Sequence, residues 1–129
     1  MKKLLLLLLV LSGLSCNQTD AVAQNTKLKP AEFESILTKD KSVQLVDVRT
    51  PEEFASGHIE GAVLIDFYDT DFGERIGKLD KNKPVMVYCA AGGRSGSTAE
   101  KLNKMGFKKV YDLDGGMRAW RSAGKKTVQ

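Results

Sequence analysis

Four short, mostly apolar runs, at residues 43–48, 62–65, 85–88 and 110–113, recur along this chain with helical stretches between them. A strand with one solvated face alternates apolar and polar residues, whereas a run apolar nearly throughout must be covered on both faces. The first intervening helix begins at Lys29-Pro30-Ala31-Glu32-Phe33 and sets Phe33, Ile36 and Leu37 on one face. Further helices are predicted over 51–56, ended by Gly57, and over 71–79. Another spans 95–105, with Ala99, Leu102 and Met105 inward and Gly106 as its stop, and the last spans 117–123. Alternation of this kind predicts one α/β domain with a central parallel sheet and helices on both faces. Ligands of such sheets bind beyond the carboxyl ends of the strands.

Cys89 stands at one of those ends, in Tyr88-Cys89-Ala90-Ala91-Gly92-Gly93-Arg94-Ser95. The strand fixes the sulfur, and the two glycines allow the backbone to curl its N–H groups toward it. Thiolate is the reactive form, and such donors lower a cysteine pKa. A drop of about two units corresponds to roughly 2.7 kcal/mol. A helix N-terminus contributes about 0.3–1 kcal/mol, or about 2 when partly buried. Loop amides and Arg94 must therefore supply the rest. A cation at a helix start opposes the dipole, which points to a functional Arg94 that orients an anionic donor and holds charge on sulfur.

The 129 residues are 42% hydrophobic and 28% charged, which suits one domain plus an export segment. Met1-Lys2-Lys3 and the leucine-rich run to Leu11 form a signal peptide too short to span a bilayer permanently. Its end is open between two sites. Gly13-Leu14-Ser15-Cys16 resembles a bacterial lipobox, giving a 1–16 leader with lipidation at Cys16, although Gly13 and Leu14 depart from the common pattern. Ala21-Val22-Ala23 offers cleavage after residue 23 instead. Residues 17–26 are small and polar and are expected to be a flexible tether, leaving 27–129 for the domain.

Either processing route leaves Cys89 as the free thiol, so no intramolecular disulfide is expected in the mature chain. The formal net charge is +4, but without Lys2 and Lys3 the balance is 18 basic against 16 acidic residues. That argues against a nucleic-acid surface. One histidine and one free cysteine lack metal-ligand spacing, so neither a metal nor a cofactor is expected.

Cys-x-x-Gly-x-Arg after a parallel strand resembles the active-site loop of the rhodanese (thiosulfate sulfurtransferase) family. Asp47-Val48-Arg49 through Glu53-Phe54, Gly57-His58-Ile59 and Gly61-Ala62 is similar to a second family signature. Val110-Tyr111-Asp112-Leu113-Asp114-Gly115-Gly116 through Trp120 is similar to the family's last strand and Gly-Gly turn. The three blocks come in family order over about residues 27–124.

The resemblance implies a single rhodanese-like domain that moves a sulfane sulfur from a donor such as thiosulfate. The acceptor would be a thiol, cyanide or a partner protein, reached through a Cys89 persulfide cradled by backbone N–H groups of Ala90, Ala91, Gly92, Gly93, Arg94 and Ser95. It implies Asp47 and Arg49 as a structural brace, with Glu53 in the same polar network, and His58 as a turn residue rather than a base.

The alternative is a sulfur-carrier or binding module of the same fold. Cys-based phosphatases and arsenate reductases use a Cys-x5-Arg loop. The Cys-x4-Arg loop here makes a smaller cradle, fitted to one sulfur atom. The expected setting is the periplasmic side of a bacterial cell envelope, as a monomer touching membrane only through a lipid at Cys16.

Overall fold

The computed structural model describes residues 24–129, so the leader, Cys16 and the cleavage after Ala23 lie outside the described residues. Its elements run β1 (Gln24–Leu28), α1 (Pro30–Lys39), β2 (Gln44–Asp47), α2 (Pro51–Ala55), β3 (Val63–Leu64) and α3 (Phe72–Gly77). They continue as β4 (Val85–Tyr88), α4 (Gly93–Lys104), β5 (Lys109–Leu113) and α5 (Gly116–Ser122). Every strand pair is parallel, in the order β1-β5-β4-β2-β3. The expected α/β architecture, with the sheet in the middle, is what forms.

Why the strands are apolar throughout is visible in the packing. Along β4, Val85 and Val87 enter one core with Phe72, Ile76, Ala99, Leu102 and Phe107, while Met86 and Tyr88 enter a second with Phe33, Met117 and Trp120. Successive side chains of a strand point to opposite faces, so each strand needs apolar residues at odd and even positions alike. Helices α3 and α4 cover the first face, and α1 and α5 cover the second. The predicted inward residues take their places: Phe33 is buried with Ile36 and Leu37 against its cluster, and Ala99 and Leu102 are buried with Met105 beside them.

One expectation is corrected. Residues 24–26, assigned above to a flexible tether, belong to edge strand β1, which pairs with β5 from Gln24↔Lys109 to Leu28↔Leu113. The sequence Gln-Asn-Thr-Lys-Leu carries no apolar period because an edge strand needs only backbone hydrogen bonds on one side and one anchoring side chain. Leu28 supplies that anchor, packing against the second core.

Candidate active site

Cys89 is held from three directions, each set by a different element. Strand β4 ends at Tyr88, whose buried hydroxyl accepts a hydrogen bond from Ile59 N–H at 3.0 Å. Cys89 follows and is only 1% exposed. Gly92 then takes φ +114°, a left-handed conformation open to glycine, and its N–H reaches Cys89 Sγ at 3.1 Å. Helix α4 begins at the next residue and brings Ser95 Oγ to 3.4 Å from the sulfur.

Burial pushes the Cys89 thiol up. The Ser95 hydroxyl and the N–H groups of Ser95, Gly92 and Ala91 outweigh it, and the pKa falls below the ordinary thiol value. The loop amides thus lower the pKa as expected, but Ser95, which contributes a side chain as well as an amide, takes the place expected of Arg94.

Helix α5 fixes the loop from behind. Met117 N–H donates to the Cys89 carbonyl at 2.9 Å, and Arg118 N–H donates to the Ala90 carbonyl at 3.0 Å. So close an approach requires glycine at 116. A Cβ there would press on the Cys89 carbonyl oxygen and lie 2.7 Å and 2.8 Å from the Ala90 carbonyl atoms, at φ +57°. The sequence did not reveal this clamp, although two successive glycines one residue after the end of a strand were its visible signal.

The charged residues sort into two pairs rather than one network. Asp47 and Arg49 form a buried pair, with Arg49 Nε 3.0 Å and Nη2 2.7 Å from the carboxylate oxygens. Arg49 Nη2 also donates to the Gly57 carbonyl at 2.8 Å, tying strand β2 to the end of α2. Burial works against the Arg49 charge, and Asp47 more than restores it, so the guanidinium pKa rises.

Glu53, expected beside that pair, hydrogen-bonds elsewhere. Its two oxygens take Arg94 Nη1 at 2.7 Å and Nη2 at 2.8 Å. The reason is local. Glu53 is the third residue of α2 and closes a capping box with Thr50, which aims its carboxylate at the loop. Arg94 lowers the Glu53 carboxyl to about 2. The Glu53 carboxylate in turn raises the Arg94 pKa, as does the charge on Cys89. The Arg94 guanidinium also sits over the exposed Tyr68 ring, 5.7 Å from its centroid.

His58 makes no hydrogen bond to the thiol. Its Nδ1 is 3.1 Å from the Phe54 carbonyl, its ring stacks on Phe54 at 3.7 Å, and its backbone bridges to Val128. A cleft of about 420 Å³ opens alongside Ala90, bounded by Arg49, Glu53, Met117, Arg118 and Arg121. Arg118 and Arg121 enter no ion pair among the described residues.

The sequence profile of the rhodanese-like domain matches residues 29–123, which include β2, the Cys89 loop and the Gly-Gly turn. The chain belongs to the rhodanese family. This rhodanese domain is 40% identical over 87 residues to the thiosulfate sulfurtransferase GlpE of Shewanella oneidensis, covering 67% of this chain and 84% of that one. A solved rhodanese-related protein of Thermoplasma volcanium superposes with a TM-score of 0.70 at 27% identity, over 80% of this chain and 97% of its own. A rhodanese-like domain protein of Staphylococcus aureus gives 0.65 at 35% identity, over 74% and 90%.

Proposed function

We propose that this rhodanese domain is a sulfurtransferase working by double displacement at Cys89. The thiolate attacks the sulfane sulfur of a donor such as thiosulfate; the sulfur–sulfur bond to the departing sulfite breaks and sulfite leaves with its electron pair. The product, a Cys89 persulfide, is attacked at its outer sulfur by a thiol, cyanide or a protein nucleophile, which regenerates the thiolate. The observation that carries this reading is the buried Sγ at a strand end, met by Gly92 N–H at 3.1 Å and Ser95 at 3.4 Å. Donors fixed before reaction stabilise charge on sulfur without reorganising.

Arg94 is neutralised by Glu53, so in this reading it shapes the loop. Recruitment of an anionic donor falls to Arg118 and Arg121 in the adjoining cleft. We further propose that the protein is exported to the periplasmic side of a bacterial envelope and carries a lipid at Cys16, on the strength of the leader sequence.

Intact mass spectrometry tests the chemistry. Thiosulfate should add one sulfur atom to the protein and cyanide should remove it as thiocyanate, while Cys89→Ser stays folded and does neither. Equal thiocyanate formation by both proteins would sink the assignment. A persulfide that forms but yields to no acceptor would favour the carrier reading instead.

A further inference from the structure

Exposed lysines gather at the pole opposite Cys89. Because the strands are parallel, their amino ends share one pole and their carboxyl ends, with the Cys89 loop, share the other. At the amino pole α1 ends at Lys39, and Lys41 follows in the turn that leads to β2. Lys81 lies in the turn before β4, α4 ends at Lys104, and Lys108 and Lys109 lead into β5. These turns adjoin one another. Lys108 N–H donates to the Lys81 carbonyl at 3.2 Å, and Gln44 N–H donates to the Pro84 carbonyl at 2.9 Å. The Gln44 side-chain amide also donates to the Asp80 carbonyl at 2.9 Å.

All of these lysines are exposed, and none enters an ion pair among the described residues. The acids beside them are engaged elsewhere: Asp40 accepts from Ser42, and Asp80 accepts from Asn82 N–H and lies 3.8 Å from Lys83. A cation in the last turn of a helix complements the dipole, which accounts for Lys39 and Lys104. Lys41, Lys81, Lys108 and Lys109 stand outside the helices, and unpaired charges of one sign repel each other. The loops after β2, β3 and β5, at the opposite pole, carry the exposed acids Glu52, Asp69, Asp71 and Asp114. An anionic surface therefore attracts one end of the sheet and repels acids at the other.

The place where the chain enters the fold identifies that surface. Gln24 is the register partner of Lys109, so whatever precedes it joins at the basic pole. Cys16, the proposed lipid site, is eight residues earlier and at full extension reaches no farther than about 29 Å. We propose that this pole docks on an anionic phospholipid bilayer, with the amino ends of the strands at the headgroups and Cys89 facing away. The rise from Val85 to Cys89 is about 13 Å, which keeps the thiol clear of the headgroups and open to soluble donors and acceptors. This rests on the envelope setting proposed above and not on the sulfur chemistry.

The test uses mature protein recovered from cells expressing the full chain. It is added to vesicles of phosphatidylcholine, alone or with one third phosphatidylglycerol, and lysine acetylation is followed by peptide mass spectrometry. Each cation near an anionic surface adds about fivefold to binding. Lys81, Lys108 and Lys109 should thus react at least about fivefold more slowly on the anionic vesicles, and high salt should restore their rates. Lys27 and Lys29, at the other end of β1, should react at unchanged rates, as should Cys89 with iodoacetamide. Lys81→Gln/Lys108→Gln/Lys109→Gln should abolish protection of Lys39, Lys41 and Lys104. Lys27→Gln/Lys29→Gln/Lys126→Gln, with the same loss of charge, should retain it. Equal protection on neutral vesicles, protection that extends to Lys27 and Lys29, or equal loss in both triple variants would overturn the proposal. So would lysines that stay reactive on anionic vesicles, which would leave an acidic protein as the partner of this pole. Intact mass of the same preparation reads Cys16 separately: protection in a chain that begins at Gln24 would refute the lipid and uphold the docking surface.

Discussion

Glu53 and Arg94 stand 41 residues apart in the chain and meet in a two-pronged ion pair, with N–O distances of 2.7 Å and 2.8 Å. Planar pairing of this kind fixes orientation as well as charge. It ties the cap of α2 to the first turn of α4, and hence to the loop around Cys89.

The pair has a pH signature. Arg94 holds the Glu53 carboxyl at about 2 against an ordinary 4.5, so its stabilisation is complete above pH 4.5 and is lost as pH falls toward 2. Glu53→Gln should be less stable than wild type at neutral pH by about 1 kcal/mol, since the pair is partly exposed. Urea midpoints taken at intervals from pH 7 to pH 2 should converge as the carboxyl protonates. A gap that stays constant would show that the charge is not what Glu53 contributes.

Gly116→Ala should damage both fold and site. The added methyl must displace the Cys89 and Ala90 carbonyls and adopt φ +57°. Overpacking costs about 1–3 kcal/mol and the left-handed backbone about 1–2 more. Gly73→Ala is the control, with nothing within 4 Å of its new Cβ and no positive φ. It should gain about 0.5–1 kcal/mol. Thermal melts of the two variants, with persulfide yield from thiosulfate, separate the clamp from a general intolerance of side chains at glycine positions.

Arg49→Ala removes one partner of a buried pair and leaves Asp47, fully buried, without its counter-ion. The expected loss is about 3–5 kcal/mol by denaturant titration. Arg49→Lys should recover little, because one ammonium cannot span both Asp47 oxygens and the Gly57 carbonyl. Full stability in the lysine variant would mean that charge alone, not the fork, braces β2 against α2.

The proposed lipid at Cys16 would hold the domain at a membrane. Stable anchoring takes more than one acyl chain, each adding about 0.8 kcal/mol per buried CH₂. The wild-type protein should stay with membranes through a high-salt wash and move into detergent. Cys16→Ala should abolish that or shift processing to the site after Ala23. Soluble periplasmic wild-type protein beginning at Gln24 would rule the lipid out.

The parallel sheet was legible because its signal is local. Val85 to Tyr88 is apolar at every position, and only a strand covered on both faces needs that. Cys89 was legible for the same reason: strand, thiol, two glycines and a helix start are consecutive in the chain, and backbone geometry follows from neighbours. Strand β1 was not, since a polar edge strand differs from a tether only in the partner that receives its hydrogen bonds, and that partner is β5, more than eighty residues away.

The sequence by itself thus determined the parallel sheet and the run of strand, thiol, glycines and helix start that presents Cys89, because both rest on short-range periodicity and turn geometry. Tertiary structure alone decided the partnerships: Glu53 with Arg94 rather than with Arg49, and Met117 and Arg118 on the loop carbonyls. A charged or polar side chain can pair with many others of matching chemistry. Which one it meets is set by how the helices settle on the sheet, and no local pattern encodes that.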